Sequence, residues 1–354
     1  MLDFDLARSP LYTAPASVKR RGSEKYRPRL FLQNIKHISA FAHNNAAVDG
    51  NGLLWTWGCD TLVKRGKVFS YDFSPPANVI PRKRMENVIA VSAGGESTYC
   101  ITSDGVLWGW GTNRQGNLGT GDTAPREEPD VIMDGVEAIY AGEDTSFCIR
   151  KDNSLWAWGR SSEGCPIPNV RTGTQKPVRI MDGVLQASCN DDEAMAIRTD
   201  GVLWGWGDLI TGQRIAAPTP LMENMSWQCV PAHGCGYAFA VTCGGDLYSF
   251  GISAYGSMTA WQARTDDPLP VKVLTGVEKV WAGHEVSMVL MKDGSLLASG
   301  NNGGGMCGIG KASAPFHRPE FVMQDVKEAA IGWYHAMALQ KNGDLWIWGG
   351  DYSA

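Results

Sequence analysis

Apolar side chains fall on every second position in short runs from residue 28 to about residue 350, and the runs are separated by turn dipeptides of Asn, Asp and Gly. Runs such as Tyr99-Cys100-Ile101 and Met337-Ala338-Leu339 precede a turn, and a leucine and an aromatic pair follow it, as in Leu107-Trp108-Gly109-Trp110-Gly111. The two-residue period of a strand places Trp108 and Trp110 on one face and Leu107 beside Gly109 on the other. Both faces are therefore apolar, and such a sheet needs a neighbour on each side.

The unit recurs. Trp-x-Trp-Gly, or a relic of it, ends at Gly58, Gly111, Gly159, Gly207, Gly251, Gly300 and Gly349, with intervals of 53, 48, 48, 44, 49 and 49 residues, a period that belongs to propellers and solenoids. Just ahead of each lies a hairpin dipeptide: Asn51-Gly52, Asp104-Gly105, Asp152-Asn153, Asp200-Gly201, Gly244-Gly245, Asp293-Gly294 and Asn342-Gly343. These residues tolerate positive φ and predict two-residue type I′ turns. A proline stands 30 residues before the glycine in six units (Pro28, Pro81, Pro129, Pro177, Pro270, Pro319) and 31 before it in the fifth (Pro220). Proline has no amide donor and suits a sheet edge, so the segment after it is expected to be an outermost strand. Segments such as Val136 to Gly142, rich in small residues, follow and suit a crowded inner strand near an axis. Four strands per unit result. The tryptophans Trp55 and Trp57, Trp108 and Trp110, Trp156 and Trp158, Trp204 and Trp206, and Trp346 and Trp348 are expected to pack between neighbouring sheets. The seventh unit has no outer strand after Gly349, whereas Pro28 to Gln33 supplies a spare one, so the two ends are predicted to meet in one sheet and close a ring.

Composition narrows this picture. In 354 residues there are 42 glycines and 14 tryptophans, 19% charged residues and a net charge of −5, which describes a turn-rich body with aromatic packing and no general attraction to nucleic acid or membranes. We read residues 28–354 as one seven-bladed domain with 28–33 as its closing strand, and residues 1–27 as an arm. No apolar run reaches the length of a signal peptide core or a membrane span, and the sequence reads as that of a soluble, cytoplasmic monomer. The nine cysteines include no Cys-x-x-Cys, and Cys100 and Cys148, at equivalent places in successive units, read as buried thiols. The basic cluster Lys19, Arg20, Arg21, Lys25, Arg27 and Arg29, with Lys64, Arg65, Lys67 and Arg82 to Arg84, lacks interleaved aromatics and reads as a solvated tail and loop, against nucleic-acid binding.

The units resemble the regulator of chromosome condensation repeat family. The second carries the most of its pattern, in Val88, Val91, Ala93, Gly94, Asp104, Gly105, Trp108, Trp110, Gly111, Asn113, Gly116, Leu118 and Gly119. The resemblance runs over about residues 28 to 350 and implies an all-β, seven-bladed β-propeller of four-stranded antiparallel blades. The Asn-x-x-Gly-x-Leu-Gly loop is mostly lost in units 1, 3, 4 and 5 and survives partly as Asn301 to Gly310. The family's strand histidine remains only as His335. Units 5 and 6 replace the tryptophan pair by Tyr248/Phe250 and Leu297/Ser299, which predicts looser packing there. These departures mark a divergent, bacterial-type member. Members mostly bind other proteins: some exchange nucleotide on a small GTPase, one inhibits β-lactamases, and one is a plant ultraviolet receptor. That receptor's Gly-Trp-Arg-His-Thr motif is approached only by Gly332-Trp333-Tyr334-His335-Ala336, without the arginine, which argues against photoreception.

In an antiparallel meander the connections between strands one and two and between strands three and four leave the same side of the disc. Alignment of the first of these connections gives a ring of candidate contact residues. Units 2 to 4 present Glu96, then Glu143 and Asp144, then Asp191, Asp192 and Glu193; units 5 to 7 present Tyr237, His284 with Glu285, and Trp333, Tyr334 and His335; unit 1 adds His43. Acids on one arc and aromatics on the other suit a protein partner with a basic patch beside an apolar pocket. No Ser-His-Asp, His-Glu-x-x-His or phosphate-loop signature is present, Gly303-Gly304-Gly305 reads as a turn, and no single loop offers the carboxylate spacing of a calcium site. The sequence therefore points to a non-enzymatic scaffold or inhibitor without metal or cofactor. A nucleotide-exchange factor for a small GTPase is the alternative; the one oversized connection, Cys59 to Ile80, shows no evident wedge character.

Overall fold

Each repeat folds as an antiparallel meander, and seven such blades make the ring. The computed structural model describes residues 26–58, 62–65, 68–71, 80–161, 166–170, 172–190, 192–207, 215–225, 232–234, 237–251, 270–283, 285–313 and 316–350. The sequence-predicted arm lies almost wholly outside these residues. Blade 3 shows the plan: an inner strand Val136–Ala141, a second strand Thr145–Arg150, a third Leu155–Gly159 carrying the tryptophan pair, and an outer strand Thr174–Met181, hydrogen-bonded in that order. Pro129, Pro177, Pro220 and Pro319 all sit within outer strands, where one edge needs no amide donor.

The ring closes as the sequence predicts. Arg29–Leu32 pairs antiparallel with Leu345–Gly349, so the first described strand is the outer strand of the seventh blade. Closure is reinforced at the opposite end of each strand. In six blades the first amide of the inner strand donates to the turn carbonyl of the preceding blade: Val88 to Gly52, Val136 to Gly105, Val184 to Asn153, Val277 to Gly245, Val326 to Gly294, and, across the join, Ile35 to Gly343 at 2.9 Å; in blade 5 Met225, ahead of the inner strand, makes the bond to Gly201.

The hairpin turns differ from expectation. Thr102 N–H donates to Val106 C=O and Gly105 N–H to Thr102 C=O, and the same pair of bonds recurs in all seven blades. Only the second dipeptide residue has positive φ, at +76° for Gly52, +86° for Gly105 and +61° for Asn153. These are three-residue loops, a type I turn followed by a left-handed residue in a bulge, not two-residue type I′ turns. The aspartate before the left-handed residue uses its carboxylate: Asp152 Oδ1 accepts from Ser154 N–H at 3.0 Å, and Asp293 Oδ1 from Ser295 N–H at 2.9 Å.

Seven apolar clusters fill the seven interfaces between blades. The second tryptophan of each pair is fully buried, as Trp57, Trp110, Trp158, Trp206 and Trp348, and lies on the preceding blade: Trp158 against Tyr99 and Leu107, Trp206 against Phe147 and Leu155, Trp348 against Met288 and Leu296. In three of them the indole N–H donates to a carbonyl of the preceding blade's loop, from Trp158 to Asn117 at 2.7 Å, from Trp206 to Pro166 at 2.6 Å and from Trp348 to Met306 at 2.7 Å. The anchor in blade 6 is Asn302, whose Oδ1 accepts from Cys307 N–H, as Asn113 accepts from Leu118 N–H in blade 2. The first tryptophan is half-buried in Trp108, Trp156, Trp204 and Trp346, and the N–H of Trp108, Trp156 and Trp346 turns back to its own hairpin, to Thr102 Oγ1, Ser154 Oγ and Gln340 Oε1. In blade 6, Ser299 stands where the buried tryptophan would be and pairs with Ser287. The predicted looseness is offset there, because blade 5 brings Tyr237 and Phe239, edge to face at 5.5 Å, into that interface. Cys100, Cys148 and Cys307 are free buried thiols, each pushed up to about 12 by burial.

Candidate functional site

The glycine that ends each Trp-x-Trp-Gly is what lets the first connection sit against the third strand. Gly159 has φ +102°, and a Cβ there would collide with the Asp144 carbonyl; Gly207 and Gly300 meet Asp192 and Glu285 in the same way. The carbonyl so approached accepts the next backbone N–H, as Arg160 N–H donates to Asp144 C=O at 3.0 Å. Several acids of the predicted arc repeat this link with their side chains. Glu96 Oε2 accepts from Thr112 Oγ1 at 2.6 Å, Asp144 lies 4.0 Å from Arg160, and Glu285 binds the Asn301 amide. Part of the carboxylate pattern is thus a clasp between the two connections of one blade.

The contact ring divides. Glu143 and Asp192 are exposed, and Glu96, Asp144, Glu285 and His43 are half-exposed. Asp191 and His284 lie outside the described residues. Glu193, Tyr237 and His335 do not belong to the surface: each begins its second strand and is buried. The alternation of the strand turns these three inward, where they tie parts together. Glu193 Oε1 accepts from Asn190 Nδ2 at 2.8 Å, Tyr237 donates its hydroxyl to Gly283 C=O of the next blade at 2.7 Å, and His335 Nε2 meets Asn45 Oδ1 of blade 1 at 2.6 Å.

What remains of the aromatic arc is a knuckle at the join of blades 7 and 1. Trp333 and Tyr334 are 39% and 54% exposed, which sets them among the exposed large apolar side chains of the described residues. The His43 ring lies between them, edge-on to Trp333 at 5.8 Å and tilted to Tyr334 at 5.7 Å. Trp333 N–H donates to Ala42 C=O at 3.0 Å, so backbone from both blades fixes the knuckle. The connection after Gly58 departs from expectation too: Leu62–Arg65 pairs with Val68–Tyr71 as a hairpin in its own two-stranded sheet.

Comparison with known proteins places this geometry. Models of the regulator of chromosome condensation (RCC1) repeat match residues 104–149, and residues 88–117 and 136–165. A crystal structure of Prp20p from Saccharomyces cerevisiae, described with its binding properties to Gsp1p and histones, superposes with a TM-score of 0.71 at 18% identity, covering 89% of this chain and 82% of that one. The chain is an RCC1-type repeat propeller. The ultraviolet-B receptor UVR8 of Arabidopsis thaliana is 32% identical over 149 residues, which is 40% of this chain and 32% of the receptor. The human E3 ubiquitin-protein ligase HERC2 is 29% identical over 101 residues, 28% of this chain and 2% of the ligase. The chain thus spans a small part of these relatives' length, and their activities are theirs. Among the described residues no group of three or more His, Cys, Asp or Glu is placed to hold a metal ion, and no helix is long and apolar enough to cross a membrane.

The inner strands, whose small residues suit a crowded position near the axis, line a cavity of about 480 Å³ there. Third positions of those strands supply His37, Gln186, Lys279 and Glu328, and fifth positions Ser39, Ser92, Tyr140, Ser188 and Trp281. A signal existed in the departures from alanine at these two positions. His37 Nδ1 is 3.8 Å from the Glu328 carboxylate. Burial, with Lys327, Lys36 and Lys279 adding to it, lowers the imidazole pKa. Burial pushes the Glu328 carboxyl up to about 7 against the opposing pull of Lys327, Lys279 and the Ile38 N–H. The folded state therefore holds this proton more tightly than the unfolded chain does. The resulting stabilisation is complete below the ordinary glutamate value of 4.5 and is lost as pH rises through about 7. Glu328→Gln is expected to match the parent protein below pH ~4.5 and to exceed it by roughly 1–3 kcal/mol at pH ~8. Chemical denaturation across that pH range checks this, and a constant difference would refute it.

Proposed function

We propose that this chain is a non-enzymatic protein-binding scaffold or inhibitor that engages its partner through the loop-bearing face, with Trp333, Tyr334 and His43 as the anchor and Glu143 and Asp192 as the acidic flank. The observation that carries the reading is the knuckle: two large exposed aromatics held by backbone bonds from two blades. A rigid aromatic pair loses little entropy on binding and has the composition of interface hot spots. The acids would steer a basic partner surface and set the salt dependence of association.

Affinity capture with the intact chain as bait, followed by identification of the prey by mass spectrometry, is the test. Trp333→Ala combined with Tyr334→Ala should weaken capture by roughly 100-fold or more, with an unchanged melting temperature because both side chains are exposed. Asp192→Lys with Glu143→Lys should slow association and flatten its salt dependence. Capture undiminished in the aromatic double variant would overturn the assignment.

The hairpin of Leu62–Arg65 and Val68–Tyr71, a two-stranded sheet outside the blades, favours a second reading, as an exchange factor for a small GTPase, because an added hairpin is the kind of element that could displace a bound nucleotide. Release of a fluorescent guanine nucleotide from a captured GTPase, with and without residues 62–71, separates the two readings.

A further inference from the structure

The axial cavity has two unlike ends. Inner strands run from the hairpin side of the disc to the loop-bearing side, so their third positions and their last positions ring opposite mouths. Toward the loop-bearing side the wall is aromatic and apolar, with Phe41, Tyr140, Trp281 and Ile331 from four blades. Toward the hairpin side His37, Gln186, Lys279, Lys327 and Glu328 line it. Two ammonium groups from adjacent blades thus share one mouth with a single carboxyl group and an imidazole. Lys327 Nζ is fixed by a 2.8 Å bond to Lys36 C=O. Across the lumen Gln186 lines the same mouth. The volume lies within the range of roughly 300–1,000 Å³ that holds small organic ligands.

We propose that the central channel binds a small aromatic carboxylic acid, with its ring in the collar of Phe41, Tyr140 and Trp281 and its carboxylate at Lys279 and Lys327. The ring gains apolar and stacking contacts on walls that are already rigid. The carboxylate meets a net positive mouth, and the Gln186 amide adds a polar wall beside it. The channel residues are distinct from the knuckle residues Trp333, Tyr334 and His43, although Phe41 and Ile331 lead directly into them, so variants inside the channel test the ligand without altering the knuckle side chains.

Isothermal titration of the whole chain with indole-3-acetate, 3-methylindole and tryptamine tests the chemistry, since the three share a ring and an N–H and differ in the charge of the tail. Indole-3-acetate should bind at least tenfold more tightly than either of the others. Lys279→Glu, a half-exposed change, should remove that preference while leaving 3-methylindole unaffected. Ser188→Trp should abolish binding of all three, and the fold already accepts Tyr140 and Trp281 at the equivalent position of other blades. Equal affinity for the three compounds, no heat with any of them, or undiminished binding in a folded Ser188→Trp protein would overturn the proposal.

Discussion

Deletion of residues 28–33 is expected to lower the melting temperature by roughly 5–10 °C and to make the protein self-associate. The strand lost, Arg29–Leu32, pairs with the third strand of blade 7. Phe31 and Leu32 are 1% and 2% exposed, and Phe31 packs on Trp57 of blade 1 with ring centroids 5.2 Å apart. Removing two such side chains forfeits about 4–6 kcal/mol of burial, and in a chain of this size each kcal/mol moves the midpoint by about 1–2 °C. The deletion also bares Leu345–Gly349 as an unpaired apolar edge, a template for a second chain. Calorimetry and size-exclusion chromatography at several concentrations check both parts. Phe31→Ala, which keeps the strand but empties its pocket, should recover the edge and lose about 3–5 kcal/mol. A deletion variant that melts with the parent would mean the ring does not depend on this join.

The closing strand was legible in the sequence because it is a matter of local pattern and arithmetic: a proline at a fixed offset, an apolar run after it, and a seventh unit without its own outer strand. The same holds for the seven hairpins and their four strands. Turn type was not legible, because a three-residue loop with a bulge and a two-residue type I′ loop both ask for glycine at one position and accept Asp or Asn before it. Only the chain's hydrogen bonds distinguish them. At the contact ring, Asp192 and Glu193 are adjacent in sequence yet one is exposed and the other buried. Offset counting cannot say where a connection ends and a strand begins, and that single step decides which way the side chain faces. Tyr237 and His335 were misplaced for the same reason. The channel escaped notice on different grounds. Its wall takes one or two residues from each of several repeats, so its members never stand together in sequence and emerge only when the inner strands are superposed on an axis.

Trp158→Ala should cost about 3–5 kcal/mol, whereas Trp156→Ala, two residues away on the same face of the same strand, should cost about 1–2 kcal/mol. Trp158 is fully buried, packs edge-on to Tyr99 at 6.0 Å, and donates its indole N–H to Asn117 C=O. The loop from Asn113 to Gly119 is shaped around it: Gly119 has φ +72°, and a Cβ there would lie 2.9 Å from the indole ring. Loss of the ring therefore opens an interface between two blades and also removes the object that the blade 2 loop encloses. Trp156 is half-buried, its N–H reaches only Ser154 of its own hairpin, and its face is covered by Arg150 with the guanidinium carbon 5.9 Å from the ring centroid. Truncation there removes partial burial and a cation–π contact worth about 0.5–1 kcal/mol, and water can take the place of both. Trp158→Phe supplies the control. It keeps most of the apolar contact, and Asn117 C=O still accepts the Tyr99 hydroxyl, so the loss should fall well below that of the alanine variant. Urea titrations of the three variants measure the differences. Equal losses at 156 and 158 would show that the pair acts as one packing unit, and would remove the distinction between a tryptophan that joins blades and one that caps a hairpin.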